Sequence, residues 1–279
     1  MTNLAKIDKP KIRLLVLDLD NTLWDWLEMA VPAIYAQAQA TSYACGVSLE
    51  YILNDMRNFH ILMRNSDTVG RHFYLDTTVK IWPEWEVRCM ALKGAWEAYV
   101  ETEQSNTVLY PNVRNTLELI HLSGCKIVGY TDSYYKDAKA RMEVAGILRY
   151  FDALVARDDG SYIDFTAPRG KLISEKNLKP NPMLLHKIVL ENDTPLRNSL
   201  MVGNSSRKDI GPALNIGIWT AQAQYGNILN PATLRKYLKI GHVTKEMFDK
   251  ESQLNTQFWP DLVMNRFDNL LEFFSFGAK

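Results

Sequence analysis

Leu14-Leu15-Val16-Leu17 is an unbroken apolar run that stops on two carboxylates, Asp18 and Asp20. Such a run predicts a strand buried on both faces rather than one with a solvated side. If the backbone stays extended through Leu19, the twofold period of a strand puts Asp18 and Asp20 on the same side. A surface turn is the competing reading of Asp-Leu-Asp-Asn-Thr. From Tyr110 onward, strand and helix patterns alternate. Val113, Leu117 and Ile120 share a helical face that stops at Ser123-Gly124, and Lys126 to Tyr130 reads as the next strand. A helix carrying Ala138, Met142 and Ala145 follows Thr131-Asp132-Ser133, and Phe151 to Ala156 reads as a strand. Pro182 opens a helix with Leu184, Leu185 and Ile188. Leu200 to Gly203 reads as a strand, Ile210 to Leu214 as a helix, and the regions near 217–221 and 261–263 as final strands. This alternation predicts an α/β fold, a parallel sheet with helices on both faces.

Between Trp24 and about Gln104 the pattern changes to helix formers and aromatics. One helix is expected over VPAIYAQAQATSYAC, with Pro32 in its first turn and Gly46 as its stop. Ser48 is placed to cap the next. A further helix is expected to begin at Pro83 and run through MALKGAWEAYVE, with Glu84 and Glu86 at its positive end. Trp82, Trp85 and Trp96 are expected in the core or interface of these helices. The stretches 157–177 and 225–259 have no clear period and read as loops or small excursions.

The chain has 279 residues, enough for one large domain or a core with a smaller companion. Lysine plus arginine equals aspartate plus glutamate at 32 each, so no overall charge favours nucleic acid or an anionic membrane. Cys45, Cys89 and Cys125 form no zinc or redox spacing and suggest reduced thiols. The polar first residues and the lack of a membrane-length apolar segment predict a soluble, cytoplasmic protein.

The strand ends collect the candidate chemistry: Asp18 and Asp20, then Thr131-Asp132-Ser133, then Lys179 before Pro180, then Gly203-Asn204-Ser205 with Asp209. Parallel strands bring these ends to one edge. A carboxylate pair, a hydroxyl, a lysine and an oxygen-rich loop suit Mg²⁺ and a phosphoryl group. Neither GxGxxG nor GxxxxGK[ST] occurs, which removes the main support for a dinucleotide enzyme or a P-loop kinase. Ser133 reads as an N-cap, Lys171 and Lys176 compete with Lys179, and His60, His72, His121, His186 and His242 show no ligand spacing.

In this order the four motifs resemble those of the haloacid dehalogenase (HAD) superfamily, phosphatase type. The resemblance implies a Rossmann-like core formed by 1–26 and 106–279 and a helical cap at 27–105. It implies that Asp18 is a nucleophile that forms an aspartyl-phosphate. Asp20 would serve as acid and then base, Thr131 and Lys179 would complete the catalytic set, and Thr131, Asp132 and Lys179 would bind substrate. Mg²⁺ would be held by Asp18, Asp20 through its carbonyl, Asn204 and Asp209. Asn204 departs from the family's usual aspartate, which lowers the charge offered to the metal. The acid two residues after the nucleophile argues against dehalogenation, since halide needs no proton to leave. A phosphatase acting on a small phosphorylated metabolite is the expectation. A phosphomutase and a phosphate-binding regulatory protein stay open. Selection of the substrate is expected within the cap, with His60, Arg64, Arg71, His72 and Tyr74 as polar candidates or as a solvated helix face.

Overall fold

The run Leu14–Leu17 is the middle strand of a seven-stranded, wholly parallel sheet. In the computed structural model the described residues are 9–158, 169–174, 177–254 and 258–278. They open with β1 (Lys11–Ile12) and β2 (Leu14–Leu17), followed by five helices: α1 (Trp26–Cys45), α2 (Leu49–Met63), α3 (Asp76–Ile81), α4 (Trp85–Ala91) and α5 (Lys93–Asn106). Then come α6 (Val113–Leu122), β3 (Lys126–Tyr134), α7 (Tyr135–Val144), β4 (Ala153–Arg157), β5 (Arg169–Ile173), α8 (Pro182–Glu191), β6 (Ser199–Gly203), α9 (Gly211–Ile216) and β7 (Trp219–Ala223). The last elements are α10 (Pro231–Ile240), α11 (Lys245–Leu254), β8 (Leu262–Met264), α12 (Asn269–Phe273) and β9 (Ser275–Phe276). Two compact units result. One holds the chain up to Leu23, Leu109–Asn227 and the residues from Leu254 on; the other holds Trp24–Val108 and Ile228–Gln253.

In the α/β unit the strand order is β5-β4-β3-β2-β6-β7-β8, and β1 pairs separately with β9. All four residues of β2 are fully buried, as a strand covered on both faces requires. Leu14, Val16, Val128, Tyr130, Val155 and Met201 pack in one core with Leu185, Ile188 and Val189 of α8. Leu17 lies opposite Gly129 and Val202, and the Asp18 N–H donates to the Val202 carbonyl at 2.9 Å. Pairing thus extends one residue past the strand and fixes where Asp18 emerges. Two expectations change here. Strand β3 continues to Tyr134 rather than stopping at Tyr130, with irregular pairing to β4 over its last residues. Helix α7 therefore begins at Tyr135, its cap position is Tyr134, and Ser133 is not an N-cap. Within 157–177, expected as loop, Arg169–Ile173 is an edge strand, while 159–168 and 175–176 lie outside the described residues.

The helical unit starts earlier than its sequence pattern suggested. Asp25 caps α1 by accepting the Glu28 N–H at 3.0 Å, so Pro32 falls inside the helix rather than in its first turn. Gly46 ends α1 in the left-handed conformation, and Ser48 caps α2 through the Tyr51 N–H. The helix expected from Pro83 is two helices, broken at Leu92. Ala33, Ile34 and Ala38 of α1 pack with Ile52, Leu53 and Met56 of α2, with Tyr99 of α5 and with Ile240 of α10. The segment 228–253, expected as irregular, therefore supplies helices to this unit, outside the expected boundary of 27–105. Trp85 and Trp96 are 44% and 39% exposed and gather around Phe73 rather than filling a core.

His60, Arg71 and His72 are fully buried here, so they belong to no solvated face. Gln37 Nε2 donates to the Val69 carbonyl and faces His72 Nδ1 at 2.9 Å, which makes that nitrogen the acceptor. Gln37 Oε1 accepts from Arg71, whose guanidinium also donates to the Ser66 carbonyl. His60 Nδ1 donates to the Ile240 carbonyl at 2.6 Å. Burial, helped by the nearby Arg71 charge, pushes both imidazoles down to about 3. They are neutral at neutral pH. Among the described residues no helix is long and apolar enough to cross a membrane, and the three cysteines are free thiols.

Candidate active site

Leu19, between Asp18 and Asp20, is fully buried, and the two carboxylates follow directly on the end of β2. The chain then turns sharply: the Thr22 and Leu23 N–H groups return to the Leu19 carbonyl, and Asn21 takes a left-handed φ of 59°. Asparagine tolerates that conformation better than most residues. The turn is braced by Tyr225, whose hydroxyl donates to the Thr22 carbonyl at 2.8 Å and whose ring meets Tyr110 edge-on. Gly226 lies so close to the Asn21 carbonyl that a Cβ there would overlap it.

At the centre is Lys179. Its ammonium reaches Asp18 Oδ1 at 2.6 Å and Asp209 Oδ1 at 2.8 Å, with all three groups buried, and it lies over the Tyr130 ring at 4.8 Å. Thr22 Oγ1 donates to Asp18 Oδ2 at 2.9 Å. Burial pushes the Asp18 carboxyl up to about 6; Lys179 pulls it back and the Asp209 charge adds to the rise. Burial works against the Lys179 charge, but Asp18, Asp209 and Asp132 together hold its pKa above the ordinary lysine value. The pair is ionised at neutral pH.

Asp209 is bound on both oxygens: Oδ1 accepts from Lys179 and Oδ2 from the Ser205 N–H at 3.0 Å. Its carboxylate crowds Gly203 so closely that any Cβ would displace it. Asp132 is similarly engaged, accepting the Lys179 backbone N–H at 2.9 Å and Lys208 Nζ at 3.1 Å. Thr131 is buried, and its Oγ1 accepts the Ser133 N–H at 3.1 Å. Asn227 Nδ2 donates to the Asn204 carbonyl and its Oδ1 accepts from Asn204 Nδ2, which turns Asn204 Oδ1 away from Asn227. Of the competing lysines, Lys171 pairs with Glu191 at 2.6 Å, and Lys176 lies outside the described residues.

Each candidate is thus placed. Asp18, Lys179 and Asp209 form one bonded group, Asp132 joins it through the Lys179 backbone, and Asp20 stands two residues beyond Asp18 with partners of its own. Four side chains enter that the sequence did not nominate as contacts of the site: Thr22 on Asp18, Lys208 on Asp132, and Ser133 and Arg141 on Asp20. Arg141 carried a readable signal, because it shares the apolar α7 face of Ala138 and Met142, where a charge needs a partner. Among the described residues no three His, Cys, Asp or Glu side chains cluster as a metal site. The oxygens of the Asp18 carboxylate, the Asp20 carbonyl and the Asn204 amide are nonetheless the hard donors that suit Mg²⁺.

Beyond the central strand of a parallel sheet, then, a buried carboxylate is paired with a lysine, with a second buried carboxylate on that same lysine. The sequence model for haloacid dehalogenase-like hydrolases matches residues 12–217, and the chain belongs to that family. It is 29% identical over 217 residues to the phosphoglycolate phosphatase of Vibrio cholerae, covering 77% of this chain and 85% of that one. It is 28% identical over 116 residues to the pyrophosphatase PpaX of Halalkalibacterium halodurans, covering 42% and 46% of the two chains. The 2-haloacid dehalogenase of Pseudomonas syringae pv. tomato DC3000 has the same fold, with a TM-score of 0.60 over 94% of this chain and 97% of that one at 16% identity.

Proposed function

We propose that this hydrolase is a Mg²⁺-dependent phosphatase that cleaves a small phosphorylated metabolite through a phosphoryl group carried on Asp18. The observation that supports it best is the Asp18–Lys179–Asp209 bridge, with N···O distances of 2.6 and 2.8 Å in a buried setting. Lys179 keeps Asp18 ionised in spite of burial and offsets the charge that builds up as a carboxylate meets a phosphate. Asp18 attacks phosphorus, and Asp20 gives its proton to the departing ester oxygen. Asp20 then takes a proton from the water that attacks the aspartyl-phosphate. Such proton transfer contributes about 10²- to 10⁴-fold. Thr131 donates to a phosphoryl oxygen. Mg²⁺ would be held by Asp18, the Asp20 carbonyl and Asn204, and would lower the repulsion between nucleophile and substrate. In this reading Asp209 anchors Lys179 and Asp132 orients it, since their oxygens already carry the hydrogen bonds described above. Substrate selection is assigned to the helical unit, acting as a cap.

The named activity of the Vibrio relative makes phosphoglycolate the first ester to assay. Mg²⁺-dependent phosphate release that disappears in Asp18→Asn, with a phosphorylated parent trapped by acid quench, is the expected result. A parent inactive toward a broad set of phosphate monoesters with every divalent metal would overturn the reading.

A further inference from the structure

Asp20 is gripped by two side chains that the scheme above does not use. Ser133 Oγ donates to Asp20 Oδ2 at 2.6 Å. Arg141 Nη1 stands 3.4 Å from Ser133 Oγ and 3.8 Å from Asp20 Oδ1. The Arg141 side chain is only 1% exposed, while Asp20 is half-buried. A guanidinium is taken out of water at high cost unless opposite charge and hydrogen bonds answer it. Here a carboxylate and a hydroxyl do so. Ser133 is the penultimate residue of β3 and Arg141 lies on α7, which follows that strand directly, so the two donors share one continuous junction. The same junction carries Thr131, whose Oγ1 accepts the Ser133 N–H.

We propose that Ser133 and Arg141 are positioning residues that hold the Asp20 carboxyl in the orientation from which it protonates a poor leaving group. The proposal rests on the reading of Asp20 as proton carrier. In the first step an Asp18 oxygen bonds to phosphorus while the ester P–O bond breaks. That bond's electron pair goes to the departing oxygen, which takes the Asp20 proton. In the second, water oxygen bonds to phosphorus, the Asp18–phosphorus bond breaks, and Asp20 recovers one proton from the water. Ser133 and Arg141 exchange no proton and touch no substrate atom. Their effect falls on esters of weakly acidic alcohols, which need the proton, and spares esters of strongly acidic phenols, which leave without it. A carboxyl misplaced by about 1 Å loses roughly 10²-fold of the advantage of orientation.

The test measures kcat/KM, which reports the first phosphoryl transfer, on an alkyl phosphate monoester and on 2,4-dinitrophenyl phosphate. Ser133→Ala and Arg141→Met are expected to lose about 10- to 100-fold on the alkyl ester and less than about threefold on the aryl ester. Ser133→Thr, which keeps the hydroxyl, recovers most of the loss. In an Asp20→Asn background Ser133→Ala adds nothing, because the two act as one unit. Equal losses on both esters, or an undiminished loss in the Asp20→Asn background, overturn the proposal. Should Arg141→Met fail to fold, the serine variants and the double-mutant cycle decide alone. An Asp20→Asn variant that loses equally on both esters would instead remove the reading of Asp20 as proton carrier, and the proposal with it.

Discussion

The two units bury polar side chains by opposite means. At the edge of the α/β sheet, charge meets charge: Lys179 sits between Asp18 and Asp209 within hydrogen-bond distance of both. Inside the helical unit neutral partners answer the buried groups, with Gln37 linking Val69, His72 and the Arg71 guanidinium, and His60 tied to the Ile240 carbonyl. Such a network fixes shape and adds no reactivity. A buried ion pair contributes little net stability against an apolar replacement, yet it is severely destabilised when one partner goes. The first design suits a scaffold and the second a reaction centre.

The largest expected effect breaks the charged side of this contrast. Lys179→Met leaves Asp18 and Asp209 buried without their cation, and should cost about 3–5 kcal/mol in urea unfolding. The same variant should lose at least about 10²-fold in turnover. Unchanged unfolding would mean that water already shields the carboxylates.

Acid should break the neutral side. His60 and His72 are held near 3, below their ordinary value, so between about 6.5 and 3 the unfolded chain binds protons that the folded chain does not. Stability of the helical unit therefore falls as pH drops through that window, by about 1.4 kcal/mol per pH unit for each histidine. Hydrogen exchange of α1 and α2 amides at pH 7, 5 and 4 should register it. His60→Asn, which can still donate to the Ile240 carbonyl, should reduce the slope; a slope unchanged in this variant would assign the acid response elsewhere.

Asn204→Asp sharpens the contrast by adding charge where an amide now stands. Mg²⁺ should bind about tenfold more tightly by calorimetry, since a carboxylate replaces a neutral oxygen donor. Equal or weaker binding would argue that Asn204 does not coordinate directly. The smallest effect is Ser48→Ala, which removes the α2 cap and should cost about 1 kcal/mol in unfolding of the helical unit. Phosphatase constants that move with this substitution would tie the helical unit's stability to turnover.

Much of the molecule was legible in the chain. The apolar runs at Leu14–Leu17 and Leu200–Gly203 are strands because both faces of the sheet are covered, and their ends mark the candidate site. Strand β5 escaped because among the described residues it pairs on one side alone, where Arg-Gly-Lys-Leu-Ile need not be apolar. Helix α10 escaped for another reason. Its Asn230-Pro231 start and Gly241 stop are ordinary helix signals, but Leu234, Tyr237 and Ile240 find their neighbours on α1 and α2, far away in sequence. Asp18, Lys179 and Asp209 came from motif order. Ser133 was misread because a serine before a helix suggests a cap, and only the continuation of β3 to Tyr134 turns its hydroxyl to Asp20.

The helical unit is built from two stretches of chain, Trp24–Val108 and Ile228–Gln253, so the polypeptide passes between the units four times. During synthesis its first stretch emerges long before the second, and until Tyr237 and Ile240 arrive the surfaces of Leu27, Val31, Ile52 and Met56 lack part of their cover. The unit is therefore not a cassette. Transplanting residues 24–108 alone into a related scaffold would move an incomplete core, and any functional exchange must carry 228–253 with it.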